Sequence, residues 1–335
     1  MNLEHVARRA RVSTATVSRV LNNAGVVRVS TRQRVMQAIE ELRYHPNLHA
    51  RSLAGGRSGT IGVIVSNLEN PFFFDIYKTV ERGAHARGYE VLIANTDYRA
   101  EQLVASVRLM IGRRVEGLAA VVSEMDPELI RELAESRMPV VFYDVGAPRG
   151  NIVNIRVNYA RGIERIVDHL FGLGHRRLGF IGHHATLGPL GERVRAAMDA
   201  VGRYPSIEVR AAAGGDTLEG GRQAAQELLG SGYRPTALIC VNDITAVGAL
   251  QALRSQGIQV PRDMSVTGFD NIALSEFCYP GLTTVDIPRQ RIGRIICESL
   301  IPAAESEAGN GPEILIEPEL VLRDSTGPAP PAGAP

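Results

Sequence analysis

From residue 60 onward, short apolar runs alternate with amphipathic stretches. The apolar runs are typical of strands buried in a parallel sheet, and they cover 61–65, 90–95, 117–122, 140–143, 178–182, 237–241 and 264–269. The stretches between them have helical periodicity, over 72–87, 99–113, 159–173, 216–230 and 243–256. This alternation predicts an α/β fold of doubly wound parallel sheets. The span is too long for one such sheet, so we expect two lobes, at roughly 61–157 and 158–285.

Polar and aromatic residues follow several of the apolar runs directly. Because ligands of parallel sheets collect beyond the carboxyl ends of the strands, these residues predict a binding pocket. Carboxylates and amides would bind the hydroxyl groups of a small polyol, and an aromatic ring would face its C–H side. The candidate residues are Phe72, Phe73, Ser123, Asp144, Asn242 and Asp270. Taken singly, Asn70 and Asp243 are also explained as helix N-caps.

The first 46 residues have a different pattern, that of three short helices with a tight turn after the first. Asn2 is a candidate N-cap for a helix whose apolar face is Leu3, Val6, Ala7 and Ala10. Ser13 caps a second helix, and Ser30 with Gln33 predicts a capping box for a third. This arrangement is typical of a helix-turn-helix domain.

The second helix carries a polar face opposite Val17, Val20 and Leu21. A helix in a major groove needs small residues for close approach and a long donor for base edges, and arginine binds guanine in a bidentate manner. Arg19 is that donor, with Thr14 and Ala15 at the outer positions. Further candidates for DNA contact are Asn22 on the same face and, for phosphate oxygens, Thr16, Ser18, Ser30 and Thr31.

The charge distribution supports this interpretation. Residues 1–60 contain ten arginines and three glutamates, whereas the rest of the chain contains 27 basic and 33 acidic residues. A basic N-terminal region on an acidic body indicates a polyanionic partner, here double-stranded DNA.

Other classes of protein fit poorly. We expect no membrane span, since no apolar run is long enough, and no signal peptide, since Glu4, Arg8 and Arg9 interrupt the N-terminus. The three cysteines lack metal-ligand spacing. No P-loop, G-x-S-x-G or H-E-x-x-H motif occurs, and the GHH at 182–184 is weak evidence for a site. We therefore expect neither an enzyme nor a bound cofactor or metal.

The N-terminal stretches VARRARVSTATVSRVLNN and VSTRQRVMQAIEELRYHPNLHARSLAGGRSGTIGVIV resemble the lactose-repressor (LacI/GalR) family of bacterial transcriptional regulators. The resemblance implies a hinge helix within 47–59 that orders on DNA. Arg51 and Leu53 would contact the DNA there, with Leu53 inserted in the minor groove. Arg11 departs from the family, which often has glycine in this turn, and a left-handed arginine costs about 1 kcal/mol.

Motifs in the body extend the resemblance: NPFF, RRVEGL, HLFGLGH, ICVNDITAVG, VPRDMSVTGFDN and PGLTTV. They imply a two-lobed, periplasmic-binding-protein-like domain over 60–323, in which 286–323 returns to the first lobe. They also imply packing roles for His169 and His175. The remaining segment, 324–335, is low in complexity and predicts a disordered tail.

The resemblance places Phe73, Asn242 and Asp270 at effector positions. Two departures concern the same pocket. Counting back from the AAM at 196–198, the arginine with which many members hold the ligand falls at Leu190, although Arg193 is only three residues away. The position that is commonly aromatic falls at Asp216. Both changes make the predicted pocket more acidic.

The sequence therefore predicts a cytoplasmic, homodimeric repressor that binds an inverted-repeat operator and is released by a small effector. An acidic pocket disfavours anionic ligands, which favours a neutral sugar, polyol or nucleoside. A repressor that needs a purine-type corepressor remains an alternative. A solute-binding module without a regulatory role would explain the body but not the basic N-terminal region.

Overall fold

The computed structural model describes residues 2–21, 27–44, 58–124, 126–136, 138–144, 151–183, 188–301 and 313–331. The chain divides into two compact units, residues 1–59 and 60–335. Most of the predicted hinge, including Arg51 and Leu53, lies outside the described residues.

The N-terminal unit contains three helices, α1 (Leu3–Ala10), α2 (Thr14–Leu21) and α3 (Val29–Glu41). Their apolar faces form one small core, which contains Val6, Ala7, Ala10, Val17, Val20, Val35 and Ala38. Asn2 caps α1 by accepting a hydrogen bond from the backbone N–H of His5. The predicted three-helix arrangement is confirmed.

The first lobe of the large unit is built on a six-stranded parallel sheet with the order β11-β5-β4-β3-β1-β2. Its strands are β1 (Thr60–Val65), β2 (Glu90–Asn95), β3 (Leu118–Val121), β4 (Val140–Tyr143), β5 (Ile152–Val157) and β11 (Glu313–Ile316). Its helices are α4 (Pro71–His85), α5 (Ala100–Gly112), α6 (Pro127–Glu135) and α12 (Arg289–Leu300). Apolar residues of α4 and α12 pack on one face of the sheet, and those of α5 and α6 pack on the other.

The second lobe repeats this plan around a four-stranded parallel sheet with the order β7-β6-β8-β9. Its strands are β6 (Arg177–His183), β7 (Glu208–Gly214), β8 (Ala237–Cys240) and β9 (Ser265–Thr267). Its helices are α7 (Tyr159–Gly172), α8 (Gly188–Gly202), α9 (Leu218–Gly230), α10 (Asp243–Ser255) and the short α11 (Ala273–Phe277). Two doubly wound parallel sheets are thus confirmed as the architecture.

The predicted return of the chain to the first lobe is confirmed in α12 and β11, since β11 pairs with β5. The chain then turns back. After β11, β12 (Glu319–Val321) pairs antiparallel with the earlier strand β10 (Thr284–Asp286), and the next residues lie on the second lobe. No helix in the described segments has the length and apolar character that crossing a bilayer requires.

The structure corrects the prediction that residues 324–335 form a disordered tail. Ser325 is fully buried, its backbone oxygen accepts from Val266 N at 2.8 Å, and Ala329 N donates to Leu173 O at 2.8 Å. His175 Nε2 lies 3.0 Å from Gly327 O, and His169 Nε2 lies 3.0 Å from Thr326 Oγ1. The two histidines therefore have the packing role expected of them, and the segment that they pack against is ordered. Residues 332–335 lie outside the described part of the chain.

Candidate functional site

In the N-terminal unit, the predicted DNA-contacting residues of α2 lie on its open face. Thr14, Ala15 and Arg19 are exposed, and Thr16 and Ser18 are half-buried. Ser13 Oγ accepts a hydrogen bond from Thr16 N at 3.2 Å, so the predicted N-cap is confirmed. The guanidinium of Arg19 forms no ion pair with any described residue. The position of Asn22 lies outside the described residues.

Two further predictions for this unit concern the turn after α1 and the N-terminus of α3. Arg11 adopts the left-handed conformation, with φ 53°, so the turn after α1 does use an arginine where glycine is easier. The capping box at Ser30 was wrong, because α3 begins at Val29 and Arg28 is its N-cap without a side-chain hydrogen bond. Ser30 is exposed and Thr31 is half-buried, so the Ser30 hydroxyl is not used as a cap.

In the large unit, the carboxyl ends of both parallel sheets meet at one small cleft. Six of the residues predicted for effector binding line it, and they are Phe72, Phe73, Ser123, Asp216, Asn242 and Asp270. The remaining lining residues are Asn70, Tyr98, Tyr143, Tyr159, Pro189, Leu190 and Arg193. The strand-end rule therefore located this cleft from the sequence.

Arg193 is the cation of the cleft, which corrects the expectation that Leu190 leaves the pocket without one. The Arg193 side chain is 4% exposed, and its Nη2 donates to Asp270 Oδ1 at 2.9 Å. Its Nη1 donates to Val241 O at 2.9 Å, and the guanidinium lies over the rings of Tyr159 and Phe269. Among the described residues, none accepts a hydrogen bond from Arg193 Nε.

Asp270 follows β9 in a conformation that is rare for residues other than glycine, with φ 104°. Its backbone N–H donates to Val285 O at 2.8 Å, which holds this conformation in place. Burial raises the pKa of Asp270 to about 6, against the lowering effect of Arg193. The charges of Arg193 and Asp270 therefore neutralise each other. The Asp270 carboxylate still has lone pairs that can accept hydrogen bonds from other donors.

Asp216 is the second buried carboxylate of the cleft, and it joins the two lobes. Asn70 Nδ2 donates to both of its carboxylate oxygens at 3.3 Å, and Asn242 Nδ2 and Tyr98 Oη donate to it as well. Asn70 and Tyr98 belong to the first lobe, whereas Asp216 and Asn242 belong to the second. Burial, and then the charge of Asp216, hold the pKa of Tyr98 well above its usual value. No cation pairs with Asp216 in the described structure.

The two lobes approach closely at the mouth of the cleft. Gly188 begins α8 with φ 68°, and a Cβ added there would lie 2.1 Å from the carbonyl oxygen of Ser123. The free volume inside the cleft is only about 20 Å³. The cleft is therefore closed, and its polar residues bind each other across it.

Asp144 is the one predicted effector residue that does not line the cleft. It lies behind the lining, where its carboxylate accepts from Val157 N at 2.8 Å and from Tyr159 Oη at 2.6 Å. Burial raises the pKa of Asp144 to about 7, although these two hydrogen bonds lower it. In the structure, Asp144 thus positions the Tyr159 ring.

Two residues that line the cleft, Asn70 and Asn242, also cap helices. Asn70 caps α4 by accepting from Phe72 N at 3.0 Å, as the cap interpretation expects, and it also binds Asp216. For α10 the cap is Asn242, which accepts from Thr245 N at 2.9 Å, and not Asp243. Asp243 is buried instead and accepts from Ile272 N at 2.8 Å and Thr284 Oγ1 at 2.5 Å. Burial raises its pKa to about 8.

Sequence reasoning missed the tyrosines of the cleft. Tyr98 lies just after β2, so the strand-end rule would have found it if it had been applied to that run. Tyr143 is the last residue of β4, and Tyr159 is the first of α7. No group of metal-ligating side chains occurs within the described segments.

Comparison with known proteins gives two family matches. Residues 2–47 match the family described as bacterial regulatory proteins, lacI family, and residues 167–326 match the periplasmic binding protein-like domain. The chain is 34% identical over 332 residues to the HTH-type transcriptional regulator DegA of Bacillus subtilis, covering 96% of this chain and 97% of DegA. It is 33% identical to the HTH-type transcriptional repressor CytR of Escherichia coli, covering 97% and 96% of the two chains.

Solved structures agree with the sequence matches. The lac repressor dimer bound to operator and the anti-inducer ONPF has a TM-score of 0.85 and 29% identity, covering 98% of this chain and 99% of the repressor chain. The transcriptional regulator CelR in complex with cellobiose has a TM-score of 0.70 and 26% identity, covering 97% and 99%. A regulator from Enterococcus faecium with bound ribose has a TM-score of 0.70 and 27% identity, covering 80% and 99%.

Proposed function

Because the chain belongs to the LacI family of bacterial regulatory proteins, we propose that it is a transcriptional repressor released from its operator by a small, neutral, hydroxyl-rich effector. The charge balance of the cleft carries the proposal for the effector. Arg193 is neutralised by Asp270 at 2.9 Å, and the buried Asp216 has only amide and hydroxyl donors around it. The lining therefore keeps a negative charge.

This charge selects against anionic ligands. A sugar acid or phosphate in the cleft would lie beside an unpaired carboxylate in a desolvated site, which costs several kcal/mol. The hydroxyl groups of a sugar, polyol or nucleoside would instead donate to Asp216 and Asp270 and accept from Arg193 Nε. Phe72 and Phe73 meet edge to face with ring centroids 5.3 Å apart, and they supply an apolar wall for the C–H side of the ligand.

For DNA binding, the proposal rests on α2. Arg19 is exposed and free to reach a base edge, and Thr14 and Ala15 allow close approach. Thr16, Ser18, Ser30 and Thr31 are proposed phosphate contacts. Asn22, Arg51 and Leu53 stay predictions from the sequence, since they lie outside the described residues. A dimer would place two such helices on an inverted repeat.

We propose a homodimer, as in the operator-bound lac repressor dimer that this chain resembles. Large apolar side chains are exposed on both lobes. Phe74 and Ile93 are 47% and 36% exposed on the first lobe, and Phe277 and Tyr279 are 81% and 94% exposed on the second. Exposed apolar side chains mark an interface where they form a contiguous patch, and the proposed dimer interface would cover such a patch. We place the protein in the cytoplasm, where its operator would be, and propose no catalytic role.

The test is a thermal-shift panel on the purified full chain with neutral sugars, polyols, nucleosides, purines, sugar acids and sugar phosphates. A ligand at about 100 times its Kd adds roughly 2.7 kcal/mol of stability. We expect a neutral hydroxyl-rich compound to stabilise the protein, and the Asp216→Ala variant to lose that response. Stabilisation by sugar acids alone would show that the charge argument is wrong.

The same ligand then decides the direction of regulation. Operator affinity, measured by fluorescence anisotropy with and without the ligand, should fall when the ligand is an inducer. A rise in affinity would support the corepressor alternative.

A further inference from the structure

A second concave site lies on the first lobe, between α4 and α12. Its free volume is about 550 Å³, which is within the range of small-molecule sites in proteins. It is separate from the effector cleft, which shares none of its lining residues. The groove is lined by Asp75, Lys78, Thr79, Arg82, Asp286, Ile287, Pro288, Arg289, Gln290, Arg291 and Arg294.

Four of the lining side chains are exposed cations, Lys78, Arg82, Arg291 and Arg294. Within the described residues, none of them has an ion-pair partner. The two carboxylates of the groove are used elsewhere. Asp75 Oδ2 pairs with Arg289 Nε at 3.1 Å, and Asp286 Oδ1 accepts from Asn271 Nδ2 at 2.8 Å. The groove thus presents several free positive charges on a body whose sequence is acidic overall.

These cations are placed where they repel one another. Lys78 and Arg82 are four residues apart on α4, and Arg291 and Arg294 are three residues apart on α12, spacings at which like charges destabilise a helix. The first turn of α12 contains no acidic residue, and its N-cap makes no side-chain hydrogen bond. A helix N-terminus is stabilised by anions and destabilised by cations. The arrangement is unfavourable by itself and becomes favourable around a bound anion.

We propose that the α4–α12 groove binds a small phosphate-bearing anion, such as a sugar phosphate, at a site distinct from the effector cleft. Guanidinium groups bind phosphate oxygens in a bidentate manner, and Arg82, Arg291 and Arg294 converge on the groove from two helices. The volume fits a ligand of this size. A nucleic acid or an acidic protein would bring a large negative surface against a domain that is itself net negative. A small anion would contact only the positively charged groove.

The test is isothermal titration calorimetry of the full chain at 0.15 M salt with two probes, inorganic pyrophosphate and glucose 6-phosphate, and with glucose as the uncharged parent. We expect saturable binding of a phosphate probe to the wild type. The double variant Arg291→Gln/Arg294→Gln should weaken binding at least tenfold. Arg108→Gln, which removes an exposed arginine of α5, is the matched control and should bind like the wild type.

Three results would overturn the proposal. They are the absence of binding by both phosphate probes, equal binding by the wild type and the double variant, and binding only by a phosphoserine peptide. Equal binding would place the anion elsewhere, for example on the basic N-terminal unit. Any heat of binding measured with glucose should be the same for the wild type and the double variant. The neutral compound that stabilises the wild type in the thermal-shift panel should bind equally to the wild type, the double variant and Arg108→Gln. Failure of the groove proposal is therefore distinguishable from failure of the proposed function.

Discussion

Two arginines of this chain show how differently one side chain serves in the two units. Arg19 is exposed on α2 and has no ion-pair partner in the described residues. Arg193 is 4% exposed, pairs with Asp270 and lies over two aromatic rings. The proposed DNA-contacting surface therefore keeps its arginine available, whereas the cleft satisfies Nη1 and Nη2 of Arg193 internally and leaves only Nε without an acceptor among the described residues.

This difference has a consequence for binding. In the proposed complex, DNA would add contacts to α2 without breaking an ion pair of Arg19, since Arg19 has none with the described residues. An effector must instead compete with contacts that already join the lobes, since Asp216 is held by Asn70, Tyr98 and Asn242. Effector binding should therefore be coupled to the separation of the lobes, and DNA contact by α2 should not be.

The largest expected effect is on the free energy of unfolding when Arg193, the buried arginine, is replaced. Arg193→Ala would leave Asp270 buried and unpaired, and breaking a buried ion pair costs about 3–5 kcal/mol. We expect urea unfolding to show a loss of this size. Removing both charges in Arg193→Ala/Asp270→Ala should cost less than removing Arg193 alone. A loss below about 1 kcal/mol for the single variant would mean that the pair is well solvated.

The exposed member should matter for DNA and not for folding. Arg19→Ala should weaken operator binding by about 1–3 kcal/mol and relax the preference at one base pair in each half-site. The melting temperature should hardly change, because the side chain is exposed. Competition anisotropy with a set of single-base operator variants measures this, with Arg108→Ala as the control. Uniform weakening across all variants would demote Arg19 to a phosphate contact.

The contact between the lobes gives a third, smaller effect. Gly188→Ala strains a left-handed backbone, which alone costs about 1 kcal/mol, and it places a Cβ 2.1 Å from Ser123 O, so that one of the two segments must shift. We expect the cleft to open, seen as a larger radius of gyration in X-ray scattering. Gly112→Ala is the control, since nothing lies within 4 Å of the added Cβ there. If the two variants scatter alike, the lobes do not depend on this contact.

The smallest effect concerns pH and the buried Asp243. Its pKa is raised from 3.8 to about 8, so the folded protein retains a proton that the unfolded chain releases. The contribution of Asp243 to stability therefore falls as pH rises between these values, by about 1 kcal/mol from pH 6 to 7. Because Asp144 and Asp270 also have raised pKa values, Asp243→Asn should reduce the wild-type slope by about that amount, without removing it, in melts at several pH values. Asp199→Asn, at an exposed site on α8, should keep the wild-type slope.

Strong periodicity made much of the fold predictable. The amphipathic segment expected at 159–173 is α7, at Tyr159–Gly172, and the segment at 243–256 is α10, at Asp243–Ser255. Strands buried on both faces were equally clear. The run at 90–95 was identified as a strand, but β2 lies at the edge of its sheet and is mostly exposed or half-buried, not buried as expected.

Elements with mixed patterns were not predicted. The strand β7 is at a sheet edge and has exposed and buried residues in no regular alternation, and β5 carries Asn154 and Arg156 within its run. The position of Arg193 was missed for a different reason. Its role depends on which residue of α8 faces the cleft, and counting from a downstream motif selected Leu190, one turn away. Local sequence does not determine that register, whereas packing against Tyr159 and Phe269 does.

The C-terminal segment has a consequence for handling the protein. β9 is the outermost strand of the second sheet, and Ser325 covers its open edge through the hydrogen bond from Val266 N. An uncovered edge strand is a template for pairing with another molecule. Trimming this proline-rich segment as a dispensable end would expose that edge and the ring of His175, and should make the protein more prone to aggregation.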